Sequence, residues 1–195
     1  MSDEFVRCLK SLFPTPSYEV KTEINKLIKK NRLDASCFFA SAFQKSLIQG
    51  DIITHMPFVT FSSGSKIMEE RLYGMMLSTP CDFKNNDKVL FAPCYNLNYF
   101  VEAYGEDKSR IDALKNNIIY DKFYIPAYLK CPELVADFNG INSYEVSFII
   151  EQLGNNLSKQ VASLTLAGYY YLLAKMTVHF MRPEPREIVA VRTDS

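Results

Sequence analysis

Residues 50–96 read GDIITHMPFVTFSSGSKIMEERLYGMMLSTPCDFKNNDKVLFAPCYN. Three of its segments are rich in β-branched, aromatic and other apolar residues: 51–61, 72–79 and 88–95. Two segments rich in turn-forming residues, SSGSKIMEE and PCDFKNND, separate them. Short apolar runs bounded by Ser, Gly, Pro, Asn and Asp are typical of antiparallel strands. The stretch therefore predicts three consecutive strands joined by two loops.

The second and third predicted strands have a defined register if their loop occupies residues 80–87, because Tyr73 then lies opposite Cys94. Cys81 and Cys94 are then at opposite ends of a hairpin, roughly 20 Å apart at about 3.3 Å per residue. That separation excludes a disulfide or a shared metal ion for these two cysteines. Pro57 lies inside the first strand, and proline cannot donate to a strand ladder, so we expect an edge position or a β-bulge there.

The composition predicts a folded chain with no overall charge. Of the 195 residues 48% are apolar, which is enough for a packed core, and Lys+Arg and Asp+Glu both total 22. Broad nucleic-acid binding usually uses a net basic field, which this chain lacks, although a local patch is still possible. The five cysteines form no CxxC pair and the start MSDEFVRCLK has no signal-peptide core, which favours the cytoplasm. We expect no cofactor and no metal site, because phosphate-loop motifs and clustered ligands are missing from the sequence.

Helices are predicted on both sides of the three strands. Residues 34–48 are strongly apolar, follow the potential N-cap Asp34, and end before Gly50. A second long helix is predicted over residues 157–181; its apolar run contains Lys175, which favours a buried helix over a transmembrane one.

Two further strand pairs are predicted between the three-strand stretch and the long helix. One is a hairpin that turns at Asp121–Lys122, and the other turns at Asn139–Gly140, a pair typical of a type I′ turn. The predicted organisation has four parts: a helical extension (1–48), a β-barrel with inserted helices (49–150), a C-terminal helix (151–182) and a tail (183–195).

Three pieces of the central stretch resemble one known family. Gly50-Asp51-Ile52, Met75-Met76-Leu77-Ser78 and Val89-Leu90-Phe91-Ala92-Pro93 are similar, in order and spacing, to strands of MazF/PemK-like toxins. The resemblance covers roughly a quarter of the chain. It implies an α+β fold: a small SH3-like β-barrel, here with N-terminal helices and a long C-terminal helix.

The same resemblance implies a ribonuclease site with an arginine just before the second strand and a Thr or Ser after the proline of the third. At those positions this chain has Leu72 and Tyr95, with Arg71 one residue away from the arginine position. The Ser78-Thr79-Pro80-Cys81-Asp82 turn and the ending Phe180-Met181-Arg182 resemble longer bacterial proteins built on the same barrel. The chain is thus similar to a divergent, longer bacterial member of this group.

Arg71 and His55 are the candidate catalytic residues. Cleavage of RNA through its 2′-OH needs proton transfer and a cation near the developing phosphorane charge. A β-bulge could aim Arg71 into such a site. For His55 a structural role is the alternative, since no nucleophile partner is visible in the sequence.

Two further residue sets are candidates for binding. The candidate ligand site at the barrel mouth consists of Tyr73, Cys81, Asp82 and Tyr95. For Asp82 the alternative is a carboxylate that caps backbone N–H groups of a turn. A lysine-rich predicted helix could contact phosphates, or form a solvated helix face: Lys21, Lys26, Lys29, Lys30 and Arg32.

These observations lead to one leading hypothesis and two alternatives. The leading one is a non-catalytic interaction protein on a degenerate barrel, in a bacterial toxin–antitoxin or phage-defence system. It would bind a protein partner or a second copy through the 34–48 and 157–181 helices. We expect no binding to a membrane. The alternatives are a sequence-selective, metal-independent endoribonuclease or RNA-binding protein, and a small-ligand sensor.

Overall fold

The computed structural model describes residues 38–181, except Lys45, residues 64–65, residues 86–87 and Glu106. Within these residues the chain forms seven strands: β1 (Ile52–Ser62), β2 (Lys66–Met76), β3 (Lys88–Asn96), β4 (Lys122–Ile125), β5 (Leu134–Asp137), β6 (Asn142–Glu145) and β7 (Gln160–Ala162). It also forms five α-helices: α1 (Pro80–Asn85), α2 (Leu97–Ala103), α3 (Lys108–Lys115), α4 (Val146–Gly154) and α5 (Leu166–Met181). A 3₁₀ helix, Phe138–Gly140, separates β5 from β6. The predicted α+β class is confirmed.

The first three strands form an antiparallel meander, as the turn signals predict. Tyr73 lies opposite Cys94, so the predicted register is confirmed. The predicted start of β2 is wrong, because the strand begins at Lys66 rather than at residue 72. Residues 66–71 read as polar, but they pair along β1 as far as Ser62 opposite Lys66, and this long hairpin brings them into the ladder.

Both features expected at Pro57 are present. The register of β1 against β2 shifts between Ile53 and Met56, and His55 in this bulge has a positive φ of 57°. The other edge of β1 pairs with β7 only at Ile52 and Ile53, so Pro57 lies on an edge segment. A residue without an N–H is tolerated there because no ladder bond is lost.

The outer side of β3 pairs with two short strands that lie end to end. β5 pairs along Leu134–Ala136 and β6 along Asn142–Glu145, and the 3₁₀ helix interrupts the ladder between them. Pro93 of β3 lies opposite this interruption, and a Cβ on Gly140 would come within 2.8 Å of the Pro93 ring. The predicted type I′ turn at Asn139–Gly140 is wrong, because β5 and β6 do not pair with each other and the connection is helical.

The sheet runs in the order β4-β5-β3-β2-β1-β7, with β6 also on β3, and backbone pairing does not close it. Side chains of β6 bridge the gap to β1. The Val59 N–H donates to the Asn142 Oδ1 (2.8 Å), and the Asn142 Nδ2 donates back to the Val59 carbonyl (3.3 Å). The Tyr144 hydroxyl donates to the Pro57 carbonyl (2.6 Å). Asn142 thus occupies the place of a paired strand residue.

The apolar runs of β1, β2 and β3 are buried on both faces, because helices cover both. On one face Ile52, Met75 and Ala92 pack with Leu172 of α5 and with Phe38. On the other face Ile53, Met76 and Phe91 pack in a second cluster with Ile149 of α4. Adjacent residues therefore serve opposite cores, which accounts for runs such as GMML that do not alternate in polarity.

The predicted 34–48 helix is wrong over the described residues after Phe38. Phe38 is helical, Phe39 forms a bridge with Leu164, and both side chains are buried; residues 40–44 and 46–48 are not helical. The Thr165 N–H donates to the Phe38 carbonyl and the Ala40 N–H to the Ser163 carbonyl. From Phe39 onward, tertiary pairing therefore overrides helix propensity.

The predicted 157–181 helix is correct over residues 166–181 but wrong at its start. β7 occupies Gln160–Ala162, and α5 begins only at Leu166. The Thr165 hydroxyl accepts from the Gly168 N–H, which is the geometry of an N-cap. The hairpin at Asp121–Lys122 is also wrong, since β4 starts at Lys122 and pairs with β5 across a longer connection. Among the described residues, no helix has both the length and the apolarity that a bilayer crossing requires.

Candidate functional site

A cleft opens where β3 separates from β2. Their pairing ends at Tyr73 and Cys94, and from Cys94 onward the other side of β3 pairs with β5 through Asn96. The fork leaves a cleft of about 130 Å³. Its lining combines polar and apolar surface and comes from three strands: Thr54, His55, Arg71, Leu72, Tyr73, Cys94 and Asn96.

The bulge in β1 brings His55 to this cleft. Thr54 is held by residue 159 on its other side: its N–H donates to the Lys159 carbonyl (2.9 Å), and its hydroxyl accepts from the Lys159 N–H (3.1 Å). The positive φ of His55 then turns the chain back toward β2. A left-handed conformation at a non-glycine residue is uncommon, and such residues are enriched at functional positions.

Arg71 lies beside His55. Its Nη1 donates to the His55 carbonyl oxygen at 3.2 Å, which holds the guanidinium at the cleft. Guanidinium groups bind phosphate and carboxylate oxygens through several N–H donors at once. The cleft thus combines a fixed cation, an imidazole and the Tyr73 side chain, a set that suits an anionic ligand with hydroxyl or phosphate oxygens.

Cys94 forms part of the cleft wall, but it is not an activated thiol. Its side chain is buried, and burial raises the pKa of the thiol well above its ordinary value. The Sγ lies 3.7 Å from the Ala92 carbonyl, a weak hydrogen bond from the S–H. A nucleophilic cysteine needs a thiolate, so this group contributes shape rather than reactivity.

Tyr95 lies outside the cleft, since its side chain packs in a separate cluster. It stacks on Tyr99 with ring centroids 4.9 Å apart and contacts Phe100 edge to face. Burial raises the pKa of the Tyr95 hydroxyl to about 12, with smaller contributions from nearby carboxylates, Glu70 foremost. The residue at the family's Thr position therefore does not join Arg71 and His55.

Cys81 and Asp82 lie at the start of α1, at the other end of the β2–β3 hairpin from Tyr73. The Asp82 carboxylate accepts from the Thr79 N–H (3.0 Å), and the Thr79 hydroxyl accepts from the Asp82 N–H (3.3 Å). With Pro80 at the first helical position this is a capping box. The capping alternative for Asp82 is confirmed. The candidate ligand set is divided, because Tyr73 lies at the cleft, Cys81 and Asp82 lie at α1, and Tyr95 packs on Tyr99. Ligand binding by these residues stays a prediction.

The lysine-rich candidate phosphate-binding set, Lys21 to Arg32, lies outside the described residues. His179, the second histidine, lies in the last turn of α5 and contacts Phe138 and Phe180 through its ring. Within the described part of the chain, no group of three or more His, Cys, Asp or Glu side chains could hold a metal ion.

Two buried charged groups lie outside the cleft. Asp51 accepts from the Ile48 N–H through Oδ2 (2.8 Å). Burial raises its pKa to about 6, against the smaller lowering effects of the Ser163 side chain and the Ile48 N–H. Lys175 of α5 donates from Nζ to the carbonyls of Asn117 and Ile119, both at 2.5 Å, and burial lowers its pKa to about 8. Both groups join separate chain segments and have no access to the cleft.

Sequence reasoning found three of the cleft residues by chemical type: His55, Arg71 and Tyr73. It missed Thr54 and Asn96. Asn96 ends β3 and Thr54 adjoins the bulge, and no pattern in the sequence marks either as part of a site.

Comparison with known proteins gives no family for this chain. No protein-family model matches it, and no curated protein matches it either.

Proposed function

We propose that the chain is a non-catalytic RNA-binding protein, and that the cleft at the β2–β3 fork holds a phosphate of the RNA backbone. The observation that carries this proposal is the position of the Arg71 guanidinium, which donates to the His55 carbonyl at the rim of the cleft. A held guanidinium loses less conformational freedom on binding than a mobile one, so it suits phosphate recognition. Tyr73 and His55 line the cleft, and aromatic rings at such a position could stack with an unpaired base.

We also propose that the sheet is a divergent SH3-like barrel. Strands β1, β2, β3 and β6 follow one another around the second core cluster. The hydrogen bonds from the Asn142 and Tyr144 side chains to β1 would replace the backbone pairing that closes such a barrel. The relation to MazF/PemK-like toxins rests on the sequence resemblance and this arrangement, and the bacterial toxin–antitoxin or phage-defence setting remains part of the same proposal.

We prefer binding without cleavage, because this chain lacks the arginine and the Thr or Ser that MazF/PemK-like toxins have at the two matching positions. Leu72 stands at the arginine position, and Tyr95, at the Thr position, packs against Tyr99 away from the cleft. Binding to a small ligand by the four predicted residues is supported least, since Cys81 and Asp82 lie at α1 and Tyr73 lies at the cleft.

The first test is RNA binding measured by fluorescence anisotropy. A labelled single-stranded RNA of about 20 nucleotides is titrated with the wild type, Arg71→Ala and Arg110→Ala at several salt concentrations. Arg110 of α3 is the matched control. It is also an arginine, but it lies over the Tyr104 ring and does not line the cleft. Losing one phosphate contact should reduce the slope of log K against log salt by about 0.7 in Arg71→Ala only. Equal slopes in all three proteins would refute the phosphate site.

A second candidate function is metal-independent RNA cleavage, favoured by the imidazole of His55 beside the guanidinium of Arg71. His55 would take the proton of the attacking 2′-OH, and Arg71 would stabilise the charge on the phosphorane. The bond from phosphorus to the 5′-oxygen would then break, with the 5′-oxygen taking the proton from the His55 imidazolium, which leaves a 2′,3′-cyclic phosphate. The test incubates RNA in EDTA with the wild type and His55→Ala. A rate lowered about 100-fold or more in His55→Ala, with binding unchanged, supports cleavage at this site. Intact RNA in the presence of the wild type leaves binding as the function.

A further inference from the structure

The hairpin of β1 and β2 extends past the end of β3 as a two-stranded ribbon. β3 pairs with β2 only along Tyr73 to Met76, whereas the β1 ladder continues to Lys66. Residues 66–71 are all exposed, and Ile67 and Met68 retain 64% and 50% of their accessible surface. Among the described residues, only β1 pairs with this part of β2.

The hydrogen bonds of Asn142 show which backbone groups face outward. They occupy the N–H and C=O of Val59, so these groups point away from β2 and the Val59–Glu69 pair is non-hydrogen-bonded. Ladder bonds alternate along antiparallel strands. Ile67, Glu69 and Arg71 therefore direct their N–H and C=O groups away from β1. Asn142 covers the β1 edge at Val59, but no described residue pairs with β2 at Ile67 or Glu69.

We propose that this edge of β2 pairs with the same edge of a second copy of the chain, antiparallel and about a two-fold axis at Met68. Ile67 would exchange hydrogen bonds with the partner's Glu69, and Glu69 with the partner's Ile67. Such pairing extends a sheet across two subunits by adding a strand to an open edge. It is self-complementary, as a two-fold interface must be.

The side chains of the ribbon favour this register and a second copy as the occupant. In this register Lys66 would lie opposite the partner's Glu70, and Glu70 opposite the partner's Lys66, so the interface would contain two Lys–Glu pairs. Met68 would lie opposite the partner's Met68. Opposite charges directly across a strand pair are stabilising, and like charges are destabilising. Sliding the strands by two residues places Glu69 opposite the partner's Glu69 and removes both Lys–Glu pairs. The sequence KIMEE is thus complementary to itself in one register.

The interface lies next to the cleft but does not use its side chains. β3 occupies the same edge of β2 at Tyr73 to Met76, so the partner's strand would lie end-on to β3. In this register the partner's β1–β2 turn would adjoin the cleft. Variants distinguish the two proposals, because the dimer requires Lys66, Met68 and Glu70, whereas the proposed phosphate contact requires the side chain of Arg71.

Disulfide cross-linking tests the register. In a full-length chain with Cys8, Cys37 and Cys81 replaced by Ser, Met68→Cys is compared with Thr60→Cys. Thr60 lies opposite Met68 on β1 and is also exposed. It is the control because β2 lies between it and the proposed interface. Non-hydrogen-bonded pairs across antiparallel strands have Cα atoms about 4.5 Å apart, within disulfide range. Rapid dimer formation in Met68→Cys alone supports the proposal, and equal or no cross-linking in both variants overturns it.

Charge exchange tests the same pairs without cysteine. Sedimentation of the wild type, Lys66→Glu, Glu70→Lys and the double variant is followed from about 5 µM to 500 µM. Each single change places two like-charge pairs at the interface and should weaken dimerisation about tenfold, and the double change should restore it. A wild type that stays monomeric throughout, or a double variant no better than the single ones, contradicts the proposal. Circular dichroism of each variant verifies the fold.

Discussion

The buried carboxyl group of Asp51 predicts an unusual pH dependence of stability. Asp51 follows Gly50 before β1, has no exposed surface, and accepts a hydrogen bond from the Ile48 N–H, and the Ser163 side chain also interacts favourably with its carboxylate. These interactions stabilise the carboxylate, but burial outweighs them and raises the pKa from its usual 3.8 to about 6. The folded state therefore binds a proton more tightly than the unfolded state does.

The sign and the size of the effect follow from linkage. Because the folded pKa is raised, the stabilisation by protonation is complete below about pH 3.8 and is lost as the pH rises through about 6. Over the whole range this amounts to about 3 kcal/mol. Between about pH 7.5 and about pH 5.0 the folded state should gain about 1.4 kcal/mol from this one group.

Urea unfolding at these two pH values, followed by circular dichroism because the chain has no Trp, measures the effect. We compare the wild type with Asp51→Asn, which removes the titrating group, so that the contributions of other carboxylates cancel in the difference. The wild type should gain about 1.4 kcal/mol more than Asp51→Asn on going to the lower pH. Ser163→Ala removes an interaction that lowers the pKa of Asp51, so its gain should begin at a higher pH. A difference between wild type and Asp51→Asn that is the same at both pH values would refute the reasoning.

Three further predictions concern side chains that join separate segments. Asn142→Ala removes both hydrogen bonds to Val59 and should cost about 1–2 kcal/mol in urea unfolding; Asn142→Asp, which keeps the acceptor, should cost less, and equal costs would contradict the two-bond bridge. Lys175→Met leaves two carbonyls without their donor and should cost about 2–4 kcal/mol, and an unchanged melting temperature would count against it. Gly50→Ala combines a φ of +92° with a Cβ 2.5 Å from the Leu164 Cδ1, and should cost more than about 2 kcal/mol; Leu164→Ala should relieve part of that cost in the double variant, whereas strict additivity would exclude the clash.

The strand centres and the β2–β3 register could be predicted from the sequence because local chemistry determines them. Turn formers bound the strands, and the loop at residues 80–87 fixes which residues lie opposite each other. The Gly50–Asp51 pair is likewise local, since a left-handed φ requires glycine and the carboxylate caps its own turn. The helix α1 within the loop also had a readable signal, a Thr-Pro-x-Asp capping box.

The errors fall where tertiary contacts decide the structure. The apolar run fits a helix pattern, yet it is not helical from Phe39 onward, because Phe39 forms a bridge with Leu164 and the Ala40 N–H donates to the Ser163 carbonyl. β7 lies inside the predicted long helix because Ile52 and Ile53 offer a free edge. These partners are more than 100 residues away in the chain, and periodicity carries no information about them.

The candidate site shows the same division. The residue types of His55 and Arg71 marked them as candidates, and a bulge near Arg71 was the condition for its use. The bulge is present, but in the opposite strand, where it moves His55 rather than Arg71. The cleft itself depends on where β3 leaves β2 for β5, which is a property of the whole sheet.

Photo-cross-linking is the most direct test of the central claim that RNA occupies the cleft. A single-stranded RNA containing 4-thiouridine is bound to the full-length chain and irradiated, and the cross-linked peptides are identified by mass spectrometry. We expect cross-links at the residues around the cleft, His55 and Tyr73 above all, and their loss in Arg71→Ala but not in Arg110→Ala. Cross-links that map elsewhere on the chain, or that persist in Arg71→Ala, would contradict the account.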